Sequence, residues 1–288
     1  MDSLLEHIDA LAKKEGYNQT HLDGVGVYRV SEAYSRKPFV YSQGIIFCFQ
    51  GQKKVYWEDT VYVYDQQNYM VVTVPLPLEC QSVLDSNQPL LAVVLDIDIQ
   101  VLSNIIHLAG SSLTLDKLPQ STTEAGLYTG KVKPHLLEMI TRLLQCLHNQ
   151  ADAKILGPGI YQEILYYLLK QQISQSLHAL TLKNTKLSKI ELALKEIHGE
   201  FSKPILIDSL AKSIGMSPSA FHRAFKEVTA TSPIQYLKKI RLDKARAYLI
   251  QENLRVQEAA RKVGYESVSQ FSREFKRHYG VAPKDITS

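Results

Sequence analysis

Three cysteines in 288 residues cannot build a disulfide framework. Cys48, Cys80 and Cys146 have neither CxxC nor any other ligand spacing, so free buried thiols are expected. Histidine is equally thin at the front of the chain. His7 and His21 alone precede residue 100, and neither sits in an H-x-H or H-E-x-x-H cluster, so the ligand set of a metal-dependent barrel enzyme is missing. A G-x-S-x-G elbow, a P-loop and a dinucleotide fingerprint are absent too. The expectation is a protein without cofactor, without metal and without catalysis. No apolar run reaches membrane length, and the N-terminus lacks the basic-then-apolar order of a signal peptide. A cytoplasmic protein with no membrane partner is expected.

What the chain has instead is a repeat. Ser217-x-Ser219-x-Phe221-x-Arg223-x-Phe225-Lys226 returns, 50 residues on, as Ser267-x-Ser269-x-Phe271-x-Arg273-x-Phe275-Lys276. Ala211 and Gly215 pair with Ala260 and Gly264, and Pro233 with Pro283. Each copy reads as helix-turn-helix: an alanine-bearing apolar helix ends at a glycine suited to a left-handed C-cap, and a serine restarts the next helix. Ser217 is an N-cap with Pro218 at the first helical position; Ser267 with Gln270 makes a capping-box pattern. Phenylalanines four apart then share the buried face.

The residues between them must point outward. Ser219, His222 and Arg223 in the first copy, and Ser269, Gln270 and Arg273 in the second, are the candidates to meet base edges. Arginine can bond guanine O6 and N7 together, glutamine can do the same for adenine, and serine accepts either role. Ser217, Lys226, Ser267, Ser272 and Lys276 are the candidates for phosphate. A single polar helix face is most simply a solvated one. Two helices with the same buried and exposed code, each introduced by the same turn, favour a DNA groove. Charge agrees, since residues 186–288 carry 19 Lys+Arg against 11 Asp+Glu, whereas 1–185 carry 14 against 18. That asymmetry favours phosphate attraction by the C-terminal third, a basic surface with no partner being the bland alternative.

From about residue 186 onward the chain resembles the DNA-binding domain of the AraC/XylS transcription regulators. The pattern runs through Leu210-Ala211, Gly215-Met216-Ser217, Arg223, Phe225-Lys226, Ser232-Pro233, Arg241-Leu242 to Ala245, Ala259-Ala260, Gly264-Tyr265, Ser269, Phe271, Arg273, Phe275-Lys276 and Gly280-x-x-Pro283. One departure is Ala230, which stands where the first copy usually has the glycine that the second keeps as Gly280. Between the copies, Ile234 to Gln251 reads as a connecting helix that can set both recognition helices on one DNA face about one turn, roughly 34 Å, apart. Arg241, near its start, either meets the DNA backbone or pairs with an acid inside the domain; the second is expected.

The front of the chain changes period. Ser3-x-x-Glu6 caps a short amphipathic helix, and after it Gly24–Val30, Gly44–Gln50, Lys53–Trp57, Thr60–Tyr64, Asn68–Val74 and Leu90–Ile97 read as strands of a small antiparallel barrel. Gln50 to Tyr56, Tyr64-Asp65, Tyr69 to Val72, Val74 to Pro77, Pro89 to Ala92 and Leu95 to Asp98 are similar to the N-terminal domain of one AraC branch. That resemblance implies a cupin-like domain of a kind that often senses a small molecule. Tyr41, Phe47, Phe49, Tyr56, Trp57, Tyr62, Tyr64 and Tyr69 are its candidate lining or plain core. Phe47, Phe49, Tyr56, Tyr62 and Tyr69 are taken as effector contacts.

After a polar stretch from Gly110 to Lys131, Leu136, Ile140, Leu143 and Leu147 make one helical stripe, and Ile160, Ile164, Leu168 and Ile173 another, with Gly157-Pro158 between. These helices either cover the barrel or pair with a second subunit; the resemblance favours a homodimer. The expected fold class is α+β, an N-terminal cupin-like antiparallel β-barrel with flanking helices and a C-terminal all-α domain with two helix-turn-helix motifs. The expected units are a sensor domain at 1–130, a helical dimerisation segment at 131–181, a linker at 182–188 and a DNA-binding domain at 189–288. The resemblance implies a regulator of double-stranded promoter DNA controlled by a small-molecule effector. Activation, with RNA polymerase as a further partner, is expected from the family alone. A constitutive binder with a filled scaffold barrel and a cupin-type enzyme with a DNA-binding tail are the alternatives.

Overall fold

Helix α1 (Asp2–Leu11) opens the chain and buries Leu4 and Ile8. The computed structural model describes residues 2–84, 88–110, 113, 126–171, 174–182 and 184–286. Among the described residues, ten strands follow the first helix: β1 (Gly16–Gln19), β2 (Val25–Val30), β3 (Lys37–Tyr41), β4 (Gly44–Gln50), β5 (Gln52–Trp57), β6 (Thr60–Tyr64), β7 (Asn68–Val72), β8 (Leu76–Val83), β9 (Leu90–Leu95) and, after α2 (Ile99–Ala109), β10 (Leu127–Lys131). They form two antiparallel sheets, one ordered β1-β2-β9-β4-β7-β10 and the other β3-β8-β5-β6. The second sheet lies against the first as the other wall of a cupin-like barrel, with β6 meeting β7 and β10 along one side.

The six strands expected from period-two patterning are all present. Four others are not visible in that pattern, for identifiable reasons. Pro38 sits in β3 and Pro77 in β8, and a proline lowers a strand reading because it donates no ladder hydrogen bond. β1 has only four residues. β10 closes the polar stretch from Gly110, of which residues 111–112 and 114–125 lie outside the described residues, and it pairs Leu127–Lys131 with Val72–Asn68.

Helices α3 (Pro134–Cys146), α4 (Gln150–Ile155), α5 (Gly157–Leu168) and α6 (Ser174–Thr181) come next. Leu136, Ile140, Leu143 and Leu147 are buried as one stripe, and Ile160, Ile164 and Leu168 as another. Gly157 and Pro158 start α5, where a proline lacking its N–H is harmless in the first turn. Ile173 lies outside the described residues.

The all-α part comprises α7 (Lys186–Glu200), α8 (Ile207–Ser213), α9 (Pro218–Thr229), α10 (Pro233–Gln251), α11 (Val256–Lys262) and α12 (Val268–Tyr279). α7 begins within the stretch read as a linker, capped by the Thr185 hydroxyl on the Ser188 N–H.

Two cores hold the molecule. One is continuous from the barrel through α7 into the first helix-turn-helix, including Leu210, Phe221, Phe225, Tyr236 and Ile240. The other belongs to the second helix-turn-helix alone, with Leu242, Ala245, Ala260, Val263, Tyr265, Phe271 and Phe275. Helix α10 therefore carries residues of both. Its first half seats on the barrel, where the Tyr236 hydroxyl donates to the Pro75 carbonyl at 2.7 Å and Lys239 Nζ reaches the Pro77 carbonyl at 3.4 Å. The Gly126 N–H also bonds the Val228 carbonyl at the end of α9, at 3.2 Å.

Candidate DNA interface and barrel cavity

Both turns are built as the repeat implies. After α8, Gly215 takes φ +67 and the Met216 N–H returns to the Ala211 carbonyl at 2.9 Å; after α11, Gly264 takes φ +87 and the Tyr265 N–H returns to Ala260 at 3.0 Å. Ser217 caps α9 on the Ala220 N–H, and Ser267 caps α12 on the Gln270 N–H. Each glycine supplies a left-handed residue that other side chains adopt only with strain.

Within α9 and α12, Phe221, Phe225, Phe271 and Phe275 are fully buried. Ser217, Ser219, His222, Arg223 and Lys226 are exposed on α9, and Ser267, Ser269, Gln270, Arg273 and Lys276 on α12; Ser272 is half-buried. Gln270 is not idle, because its amide donates to Glu274 Oε1 at 3.2 Å. Glu274 also receives Lys238 Nζ from α10 at 3.2 Å and the Tyr265 hydroxyl at 2.8 Å. α12 is thus pinned to α10 on one side and open on the other. Arg241 differs from the sequence expectation of an acid partner: Nε donates to the Phe201 carbonyl at 2.7 Å and Nη2 to the Lys203 carbonyl at 2.9 Å. The Phe201 carbonyl at the end of α7 lacks an internal partner, and one guanidinium satisfies it together with the Lys203 carbonyl in the loop that follows.

The left-handed caps of the two recognition helices differ in one atom. Gly280 has φ +79 and Ala230 φ +57, yet both return their N–H four residues back, to Lys276 and Lys226 at 2.8 Å. Ala230 keeps the cap geometry in spite of its Cβ.

In the barrel, a cavity of about 370 Å³ lies between the sheets. Tyr17, Tyr28, Phe39, Tyr41 and Tyr64 give it aromatic walls, Ile46, Leu90 and Val94 aliphatic ones, and Lys53 and Asp96 supply its charged groups. Tyr41 and Tyr64 touch through their hydroxyls at 3.3 Å. Burial pushes the Tyr28 phenol up to about 12.

None of the five aromatics taken as effector contacts lines this cavity. Phe47 and Phe49 follow the opposite alternation on β4 from Ile46, so they face away from the cavity, and Tyr69 packs on Phe47 at 5.4 Å between ring centres. Tyr56 is outside, bonded to Gln81 at 2.9 Å with the Arg36 guanidinium over its ring, and Tyr62 packs half-buried on the edge strand β6. All seven residues of β4 are buried, which removes the inside-outside contrast that alternation needs.

Lys53 went unnoticed in the sequence, although Lys53, Val55 and Trp57 alternate on the buried face of β5. A lysine in phase with two core residues is the signal that finds it.

Residues 21–176 match the family model for the N-terminus of AraC-type transcriptional regulators, and residues 210–288 match a helix-turn-helix domain. The transcriptional activator RhaS of Escherichia coli O1:K1 / APEC is 27% identical over 156 residues, 54% of this chain and 56% of that protein; the chain thus spans little more than half the length of this relative. In fold, a lysine-to-alanine variant of apo ToxT from Vibrio cholerae is similar over 94% of this chain and 98% of that one, with a TM-score of 0.64 at 12% identity. ToxT with an unsaturated fatty acid bound is similar over 90% and 92%, with a TM-score of 0.59 at 13% identity. With more than half of its length under the first of these family models, the chain belongs to the AraC-type transcriptional regulators.

Proposed function

We propose that this protein activates transcription by binding promoter DNA through α9 and α12, under the control of a small molecule in the barrel cavity. The observation that carries the DNA half is the identical placing of Ser219 and Arg223 with Ser269 and Arg273, all exposed, over pairs of buried phenylalanines. A single chain then reads two successive major-groove segments, each arginine specifying a base and Lys226 and Lys276 holding phosphate. RhaS, similar over 54% of this chain, is an activator, and this supports activation through contact with RNA polymerase.

The ligand half rests on the cavity and on what lies behind its wall. Phe39, Val40 and Tyr41 of β3 line the cavity, and α10 and α12 pack against the same strand from outside. A molecule that re-seats β3 therefore acts on the second helix-turn-helix, which has its own core, while the first stays fused to the barrel. The unsaturated fatty acid bound to ToxT supports a ligand-holding role for this fold.

A second copy pairs through the helical layer. Leu108, Ile155 and Leu156 are 70%, 76% and 53% exposed on α2 and the α4–α5 corner, around the open Gly159. An isologous contact there covers the apolar surface and doubles the DNA contacts.

The test of the whole reading is base readout. Arg223→Ala and Arg273→Ala should each relax preference at one base position and cost about 1–3 kcal/mol in specific binding. Specific and random DNA bound by both variants as by the parent protein would overturn it.

A further inference from the structure

Among the described residues, two buried or nearly buried carboxylates have a partner of opposite sign. Glu191, 5% exposed, pairs with Lys195 at 2.6 Å, and Glu274 pairs with Lys238 at 3.2 Å. Lys53 breaks the pattern. It is 2% exposed, its side chain lines the barrel cavity, and among the described residues no carboxylate lies within ion-pair distance of its Nζ and no acceptor within hydrogen-bond distance. Asp96 lines the same cavity without reaching it. The ammonium is held instead over aromatic faces, 4.5 Å from the centre of Tyr28, 4.8 Å from Phe39 and 5.7 Å from Tyr34. Such faces offset part of the cost of removing a cation from water; burial still lowers the Lys53 ammonium below the ordinary lysine range, and an anion in the cavity would restore its charge.

The surroundings have the same sign. Lys37 Nζ stands 3.7 Å over the Tyr34 ring, and Arg246 of α10 is near enough to act on both Tyr28 and Lys37. The acid felt at Lys53 is Glu15, and both its oxygens already accept the Ser31 N–H at 3.1 Å. Beyond the ammonium the walls are apolar, with Val40, Ile46, Leu90 and Val94.

We propose that Lys53 is an anion anchor, and that the cavity takes a small apolar monocarboxylate whose head group pairs with Lys53 Nζ and whose tail lies against Ile46, Leu90 and Val94. This rests on the reading of the cavity as the effector site. Lys53 is the one ammonium among the residues that line the cavity, and a single carboxylate charge matches it. At about 30 Å³ per heavy atom the space holds on the order of a dozen such atoms. The bound carboxylate sits beside the residues that face Arg246, so that occupancy is felt at α10.

The full chain should be titrated calorimetrically with octanoate and with octanol, which share a tail and differ in charge, for the parent protein, Lys53→Met and Lys53→Arg. The expected result is octanoate binding at least tenfold tighter than octanol to the parent and to Lys53→Arg, with that preference lost in Lys53→Met while octanol still binds. Equal binding of the two ligands by the parent, or an octanoate preference that survives in Lys53→Met, overturns the anchor and leaves the barrel as a binder of neutral molecules. Binding of neither ligand by the parent overturns the anchor and the effector cavity together.

Discussion

The Tyr236 hydroxyl donates to the Pro75 carbonyl at 2.7 Å, joining α10 to the barrel across 161 residues of sequence. His198 Nε2 lies 2.8 Å from the same oxygen, which places its N–H as donor because the phenol proton is already committed to Pro75. Tyr236→Phe removes both bonds and leaves a buried histidine donor and a carbonyl unpaired. A loss of about 1–3 kcal/mol is expected from urea unfolding. If stability does not change, the contact is incidental to the docking of α10.

Acidification should loosen the same region. Burial, followed by the charge of Lys244, lowers His198 to about 4, and burial with Lys239 lowers His278 to about 4. The unfolded chain, with histidines near 6.5, then binds more protons than the folded one between those values. Stability is fully present above about pH 6.5 and is lost as pH falls toward 4, by up to about 1.4 kcal/mol per pH unit for each histidine. Replacing both by Gln should flatten this part of the unfolding profile; an unaltered slope would contradict the assignment.

Ala230 and Gly264 make opposite predictions about the turns. Ala230 holds a left-handed cap at φ +57, so Ala230→Gly should stabilise by about 1 kcal/mol. Gly264 has φ +87, and an added Cβ would stand 2.3 Å from the Ser202 carbonyl oxygen, against backbone that cannot swing away. Gly264→Ala should destabilise the second helix-turn-helix by several times that gain and abolish DNA binding. Melting temperatures of the two variants that move in the same direction would contradict this contrast.

Lys226 and Lys276 should behave differently from the arginines. Both are exposed at the ends of the recognition faces, and their replacement by alanine is expected to weaken binding to every sequence alike and to reduce the slope of log K against log salt by about one per phosphate lost. A double variant with the parent slope would remove them from the phosphate contacts.

Much of this was open to reading in the residues themselves, and the rest was hidden for physical reasons. The offset of 50 residues disclosed the paired turns, the glycine caps and the outward face from Ser219 to Lys226, because helix periodicity and capping are local. The barrel interior was harder. β4 is buried along both faces, so Phe47 and Phe49 are as apolar as Ile46 and nothing local says which side holds the cavity. Pro38 and Pro77 masked β3 and β8. The docking of Tyr236 on Pro75 depends on two segments meeting in space, which no periodicity reports.

Fragmented genomic DNA from the source, incubated with the full-length protein at near-physiological salt and then sequenced, tests most directly whether α9 and α12 read together. One shared motif with two contacted segments about a helical turn apart is predicted, with the near segment lost in Arg223→Ala and the far one in Arg273→Ala, or the reverse. Retention without any motif, or a motif unaltered in both variants, would contradict a paired reader.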